Sequence, residues 1–199
     1  MTGRGCFVAF EGGEACGKST QAARLAARLD AVLTREPGGT PLGERVREVF
    51  LMRGLSVEAR AEALLVAAAR AQHVAEVIRP ALEAGRHVVT DRFTGSSLAY
   101  QGHGRGLPLE EVRHLSTFAT GGLSADVTVL LDVPPAVAFA RRGELGDRLE
   151  DEDAAFHERV RAGYAALAEA EGWVVVDGTA RIDEVEAVVW QAVSGIIGG

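Results

Sequence analysis

"FEGGEACGKST", residues 10–20, places a curl of glycines and a Gly17-Lys18-Ser19 tripeptide directly behind the apolar run "CFVAF" at residues 6–10. Lys18 is the single lysine among 21 basic side chains; all the others are arginine. The eight residues from Gly12 to Ser19 satisfy G-x-x-x-x-G-K-[ST]. Their surroundings satisfy the context that motif needs, because a strand pattern precedes them and Ala22, Leu25, Ala26 and Leu29 follow at helical spacing. Glycines let the backbone curl until successive N–H groups converge on a phosphate, assisted by the positive end of the helix behind them. Lys18 then brings a compact ammonium to the β- and γ-phosphates, and the Ser19 hydroxyl can ligate Mg²⁺. A planar guanidinium cannot fill that cradle in the same way, which is why a chain otherwise committed to arginine keeps a lysine here.

Outward from this loop the same pattern repeats. "AVLT" (31–34), "HVVT" (87–90), "VTVLL" (127–131) and "WVVV" (173–176) are short β-branched runs separated by amphipathic segments, the last of which carries Val185, Val188, Val189, Ala192, Val193 and Ile196. Five buried strands alternating with helices predict a P-loop NTPase fold: an α/β, three-layer α/β/α domain with a five-stranded parallel sheet, spanning residues 1–199. Glu11, Asp91, Asp132 and Asp177 stand at the C-terminal strand ends, the edge where an open parallel sheet binds ligands. Asp132 and Asp177 are read as strand terminators, and the Gly-rich pieces 38–43, 102–106 and 143–146 as loops.

Composition narrows the function. A net charge of −7 argues against general attraction to nucleic acid or to anionic membranes, so any phosphate is bound locally. The longest apolar run, "ALLVAAA" at 63–69, is far below the roughly 20 residues that span a bilayer. Cys6 and Cys16 suggest no disulfide framework, and a soluble, cytoplasmic protein is expected. With its only lysine in the P-loop the chain has no N-K-x-D motif, which disfavours a GTPase. It does have arginines on several loops: Arg35 and Arg47, Arg70 in a helical segment, Arg92 directly after the third strand, and Arg141, Arg142 and Arg148 late in the chain. That collection suits a second anionic substrate. Asp91-Arg92 puts a carboxylate where it can hold Mg²⁺ through water and a guanidinium where it can fork onto a phosphate.

Three motifs then carry a resemblance. "FEGGEACGKST", "TREPGGTPLGERVR" (34–47) and "DRFTGSSLAYQGHGRG" (91–106), supported by "LLDVPP" (130–135) and "RRGELGDRLEDED" (141–153), make the chain similar over almost its whole length to the bacterial thymidylate kinases, P-loop nucleoside monophosphate kinases. The resemblance implies transfer of the γ-phosphoryl group of ATP to dTMP, with Mg²⁺, as a step in dTTP synthesis, and a homodimer. It implies that Gly12, Gly13, Glu14, Ala15, Cys16, Gly17, Lys18, Ser19 and Thr20 hold the ATP phosphates, and that Glu14 also lies near the 3′-hydroxyl of dTMP. Arg92 would bind the acceptor phosphate with Arg47 and the Arg35-Glu36-Pro37 loop. Arg70 and Gln101 would read the thymine edge, with Ser96, Ser97 and Tyr100 lining the pocket. Gln suits an imide edge, having both donor and acceptor, and a cytosine edge mismatches.

By the same resemblance Ser19 and Asp91 hold the metal, "DGTAR" at 177–181 borders the adenine pocket, and residues 141–150 form a short lid. Ala15 stands where eukaryotic relatives carry a catalytic arginine. That leaves Arg142 and Arg148, with Lys18 and Arg92, as the catalytic candidates, and Gly146 shifts the register between the two lid arginines. Val66 occupies the place of a phenylalanine that stacks on thymine, which weakens the stacking unless Phe93 or another ring compensates. Two alternatives stay open on the sequence: a kinase for another base, motivated by Val66, and a nucleotide-dependent regulator, against which the acceptor-side arginines argue. The helix expected over 56–84 is apolar on more than one side, through Leu64, Leu65, Val66, Val74 and Val77, which fits an interface or core burial equally.

Lys18→Ala is expected to lower kcat at least about a hundredfold, because its charge contact strengthens as the phosphoryl group departs. A coupled ADP-release assay measures this, and an unchanged kcat would remove the assignment.

Overall fold

Phe7–Glu11 forms β1, the central strand of the sheet in the computed structural model, which describes residues 3–141 and 146–197. Its side chains alternate between two cores. Val8 and Phe10 pack with α1 (Lys18–Leu29) and α9 (Ile182–Ile197) on one face, and Phe7 and Ala9 pack with the helices of the other. A strand buried on both faces must be apolar throughout, as β1 is up to Glu11. The sheet is parallel, in the spatial order β2 (Val32–Arg35), β3 (Val88–Asp91), β1, β4 (Val127–Asp132), β5 (Val174–Asp177).

Each strand runs one residue past the apolar run that announced it, because ladder pairing continues until the chain turns. Phe10 pairs with Asp91, Arg35 with Asp91 and Asp132 with Asp177, so the charged strand ends share one edge. α2 (Pro41–Leu51) starts on a Thr40 cap whose hydroxyl accepts from the Gly43 amide at 3.0 Å, with Pro41 in the first turn where its missing N–H costs nothing. α3 (Ala59–His73) passes through a π-helical stretch, Val74–Ile78, into α4 (Arg79–Glu83), giving one helical rod where one was expected. Pro80, which has no N–H, sits just after that change of hydrogen-bond pattern.

The loop expected at 102–106 is instead largely helical. α5 (Thr94–Ser97) continues as a π-helical stretch, Leu98–Gly104, before α6 (Leu109–Thr120), α7 (Pro135–Arg141) and α8 (Ala154–Glu171). Gly102 and Gly104 serve close packing, whereas Gly106, at φ +77°, turns the chain out of the helix. A Cβ on Gly104 would lie 2.7 Å from the Phe156 ring and 2.9 Å from Val160, both buried on α8. The expected loop at 38–43 likewise gives way to α2 from Pro41 onward, and of the piece 143–146 only Gly146 lies within the described residues. On α9 only Val185, Val189 and Val193 are buried, while Val188 and Ile196 are about half exposed, because a single i, i+4, i+8 row meets the sheet. Among the described residues no helix is long and apolar enough to cross a membrane.

Gly104→Ala should destabilise the fold by about 1–3 kcal/mol through overpacking against Phe156 and Val160. Urea unfolding reads this as a lower midpoint, and an unchanged midpoint would show that the two helices part at no cost.

Candidate active site

The chain leaving β1 has to turn under β4. Gly12 adopts φ +142°, and a Cβ there would lie 2.5 Å from the Leu131 carbonyl oxygen, so both conformation and contact require glycine. Ala15 takes a left-handed φ of 49° and Gly17 one of 95°, and the curl ends at Lys18, the first residue of α1. Lys18 is 6% exposed; its Nζ donates to the Gly13 carbonyl at 2.5 Å and lies 3.4 Å from the Cys16 Sγ. At the next residue, the Ser19 hydroxyl donates to Asp91 Oδ2 at 2.5 Å. Asp91 Oδ1 is buried and has no partner among the described residues. A carboxylate oxygen left unpaired beside a hydroxyl at a helix N-terminus is the hard-oxygen donor set that Mg²⁺ takes, so the residues present fit the ion.

Arg92 lies at the centre of the site. Its φ of +74°, uncommon for a side chain of this size, turns it back from the end of β3 over the P-loop. Nη1 donates to the Gly12 carbonyl at 2.9 Å, Ser96 Oγ at 3.2 Å and the Tyr164 hydroxyl at 3.2 Å; Nη2 donates to Glu14 Oε1 at 2.6 Å and to the Tyr100 hydroxyl at 3.4 Å. Burial pushes the Glu14 carboxyl up, but Arg92, Lys18 and the Tyr100 hydroxyl 2.7 Å away outweigh it and hold its pKa at about 2. Burial carries both tyrosine hydroxyls well above their usual range, so they stay neutral donors. Beneath them lies Glu11, fully buried, its carboxyl raised by that burial. It accepts from the Phe93 amide at 3.0 Å, Ser96 Oγ at 2.6 Å and the Tyr164 hydroxyl at 3.2 Å. The strand-end position of Glu11 was visible in the sequence, whereas nothing local marked Tyr164, 14 residues past the segment 141–150 and on α8.

A cavity of about 490 Å³ opens on the far side of Arg92. It is lined by Glu14, Glu36, Pro37, Arg47, Val66, Arg70, Ser96, Ser97, Tyr100 and Gln101, all singled out from sequence, and by Phe50, Leu51, Phe93, Asp147 and Leu149. Arg47 donates to the Pro37 carbonyl at 3.1 Å and forms no ion pair among the described residues; burial, then Arg35 nearby, lower its pKa. Arg35 itself is exposed, bound to Glu44 at 2.9 Å, and does not line the cavity. Arg70, 1% exposed, has most of its donors committed: Nε to Glu36 at 2.7 Å, Nη1 to Ser97 at 3.0 Å and Ser116 at 3.4 Å, Nη2 to the Phe93 carbonyl at 2.9 Å. Glu36 is held from its other oxygen by His73 at 3.0 Å, which in turn meets Thr34 Oγ1 at 2.6 Å. Phe50 and Phe93 supply aromatic walls where Val66 does not; Phe50 carries no signal of its own in the sequence, being one apolar position of an amphipathic helix.

Arg142 lies outside the described residues. Arg148 is engaged at the end of the cavity beside Gln101: Nε donates to the Phe50 carbonyl at 2.9 Å and Nη1 pairs with Glu62 at 2.9 Å. Arg141 donates to the Gly178 carbonyl at 2.8 Å beside a separate space, of about 760 Å³, that Ala15, Thr20, Gln21 and Gly178 also line. Asp132 pairs with Arg161 at 2.8 and 2.9 Å, and Asp177 caps the Thr179 amide at 2.8 Å, consistent with strand-terminating roles.

A family model described as thymidylate kinase matches residues 10–189. The chain is 52% identical to the thymidylate kinase of Deinococcus radiodurans, over 96% of this chain and 97% of that one, and 44% identical to that of Thermosynechococcus vestitus, over 96% and 87%. Among solved structures it resembles the crystal structure of thymidylate kinase from Ehrlichia chaffeensis with a TM-score of 0.78 and 29% identity, covering 96% of this chain and 99% of that one.

The low Glu14 pKa makes stability depend on pH. Between the ordinary carboxyl value of 4.5 and about 2 the unfolded chain binds a proton that the folded protein does not, so stability from Glu14 is complete above 4.5 and is lost as pH falls toward 2. The difference in unfolding free energy between the wild type and Glu14→Gln should therefore shrink across that window. A difference independent of pH would refute the ionic role of Glu14.

Proposed function

The chain belongs to the thymidylate kinase family and phosphorylates dTMP to dTDP; we propose that it does so with ATP on the Gly12–Thr20 loop and dTMP in the 490 Å³ cavity, Arg92 standing between them. The observation that carries this reading is the reach of one guanidinium. Arg92 touches the P-loop at the Gly12 carbonyl and Glu14, and the cavity wall at Ser96. A phosphoryl group passing from one side to the other stays within the field of the same fixed charge, which needs no reorganisation as charge develops. Glu11 and Tyr164 hold Arg92 in place from below, and Glu14, ionised at any working pH, offers a carboxylate to an acceptor hydroxyl.

On this reading Lys18 neutralises the donor phosphates, and Arg47, lacking an ion pair among the described residues, is available to the acceptor phosphate. Ser19 and Asp91 would hold Mg²⁺, which supplies charge neutralisation on the transferring group when bound. The space beside Arg141 and Gly178 takes the adenine. Arg148 serves the acceptor end through Glu62, and the assignment of Arg142 to the transferring phosphoryl rests on the sequence. Within the cavity Gln101 meets the thymine imide, between walls supplied by Phe50 and Phe93.

A second copy of the chain is the partner this reading expects. Ala61, Leu64, Ala68, Ala71 and Ala75 line the exposed side of α3 and its continuation, and Phe118 on α6 is 88% exposed. Exposed apolar residues on neighbouring helices favour a self-complementary contact.

A coupled ADP-release assay across deoxynucleoside monophosphates tests the substrate. dTMP should give the highest kcat/KM, and chelation of Mg²⁺ should abolish turnover. Faster turnover of dCMP would overturn the acceptor assignment, and full activity with the metal chelated would overturn the roles of Ser19 and Asp91.

A further inference from the structure

Glu62 enters the reading above only as the partner of Arg148, yet it is fully buried. It lies four residues before Val66 and eight before Arg70, so all three occupy the side of α3 that meets the acceptor cavity. Its carboxylate accepts from Gln101 Nε2 at 2.8 Å, from Arg105 Nε at 3.3 Å and Nη2 at 3.1 Å, and pairs with Arg148 Nη1 at 2.9 Å. A buried acid is costly to maintain without compensation, and here two guanidiniums balance it. Their contacts account for its charge. They do not account for the amide.

We propose that Glu62 is a specificity-determining residue: it fixes which end of the Gln101 side chain faces the base of the acceptor nucleotide. This rests on the reading of Gln101 as the residue that meets thymine. A carboxylate can only accept, so the amide nitrogen must face Glu62, and the amide oxygen is turned toward the cavity that Gln101 lines. An oxygen presented there accepts from the ring N–H of an imide, and the second amide hydrogen is free for the neighbouring carbonyl. Cytosine presents the reverse order, a ring acceptor beside an exocyclic amine. To pair with it Gln101 would have to rotate its amide by half a turn, placing its oxygen against the Glu62 carboxylate with no proton between two buried acceptors. Glu62 therefore excludes cytosine by forbidding the rotated amide, while thymine and uracil, which share the imide, are treated alike.

The proposal is tested by kcat/KM for dTMP, dUMP and dCMP in the wild type, Glu62→Asp, Glu62→Gln and Gln101→Ala, with KM for ATP and the urea midpoint as controls. Glu62→Asp keeps the charge opposite Arg105 and Arg148 but withdraws it by one methylene, so it carries the test even if Glu62→Gln does not fold. Both Glu62 variants should compress the dTMP:dCMP ratio by about tenfold or more, the worth of one hydrogen bond to a charged group. The change should appear in KM for the acceptor, leave the dTMP:dUMP ratio and KM for ATP in place, and vanish when Glu62→Asp is made on the Gln101→Ala background. If Gln101→Ala leaves the dTMP:dCMP ratio unchanged, Gln101 does not read the base and the proposal goes with that reading. If Gln101→Ala compresses the ratio but a stably folded Glu62→Asp does not, Gln101 reads the base without Glu62, and the proposal alone is overturned.

Discussion

The contact between Arg92 and the P-loop is the constraint around which the site is organised. A guanidinium leaves the end of β3 in a left-handed conformation and closes on the Gly12 carbonyl and Glu14. The backbone strain of that conformation is offset by five hydrogen bonds that only this orientation permits. Because β1 and β3 are adjacent and in register, with Phe10 opposite Asp91, the residue after each strand is delivered to the same spot. The sheet thus sets the distance between the P-loop and Arg92.

Three buried glutamates carry the polar framework, each through several donors. Glu11 joins the Phe93 amide, Ser96 and Tyr164 under the reaction centre; Glu36 joins Arg70 and His73 behind the loop after β2; Glu62 joins Gln101, Arg105 and Arg148 at the base end. A buried carboxylate contributes little net stability compared with apolar packing, and removing one of its partners costs several times more. Its value lies in geometry: each oxygen has few alternatives once surrounded, so the side chains that converge on it have one arrangement. In this cavity most arginine donors are spent on the walls, and Arg47 alone of the arginines lining it forms no ion pair among the described residues.

The phosphate loop and the alternation of strands and helices were legible in the amino-acid sequence because both are local. The spacing from Gly12 to Ser19 reflects backbone conformations and one close approach, and alternating apolar runs reflect strands and helices buried on known faces. Arg92, Tyr100, Ser96 and Gln101 could be placed near one another because a short segment carries them all. The glycines at 102 and 104 misled for an equally physical reason: glycine marks both tight turns and close helix contacts, and only the position of Phe156 and Val160 on α8 separates the two.

What the sequence determined alone was the family, the fold and the phosphate chemistry, since these rest on residues within a few positions of each other along the chain. The tertiary structure decided the partners of long side chains. It put Arg35 on Glu44 outside the cavity, committed Arg70 to Glu36, Ser97 and Ser116, brought Phe50 and Tyr164 to the site, and seated Arg148 on a glutamate 86 residues earlier. A guanidinium on a flexible stem can reach acceptors in any direction, and which of them it meets depends on elements that only folding brings within hydrogen-bonding distance.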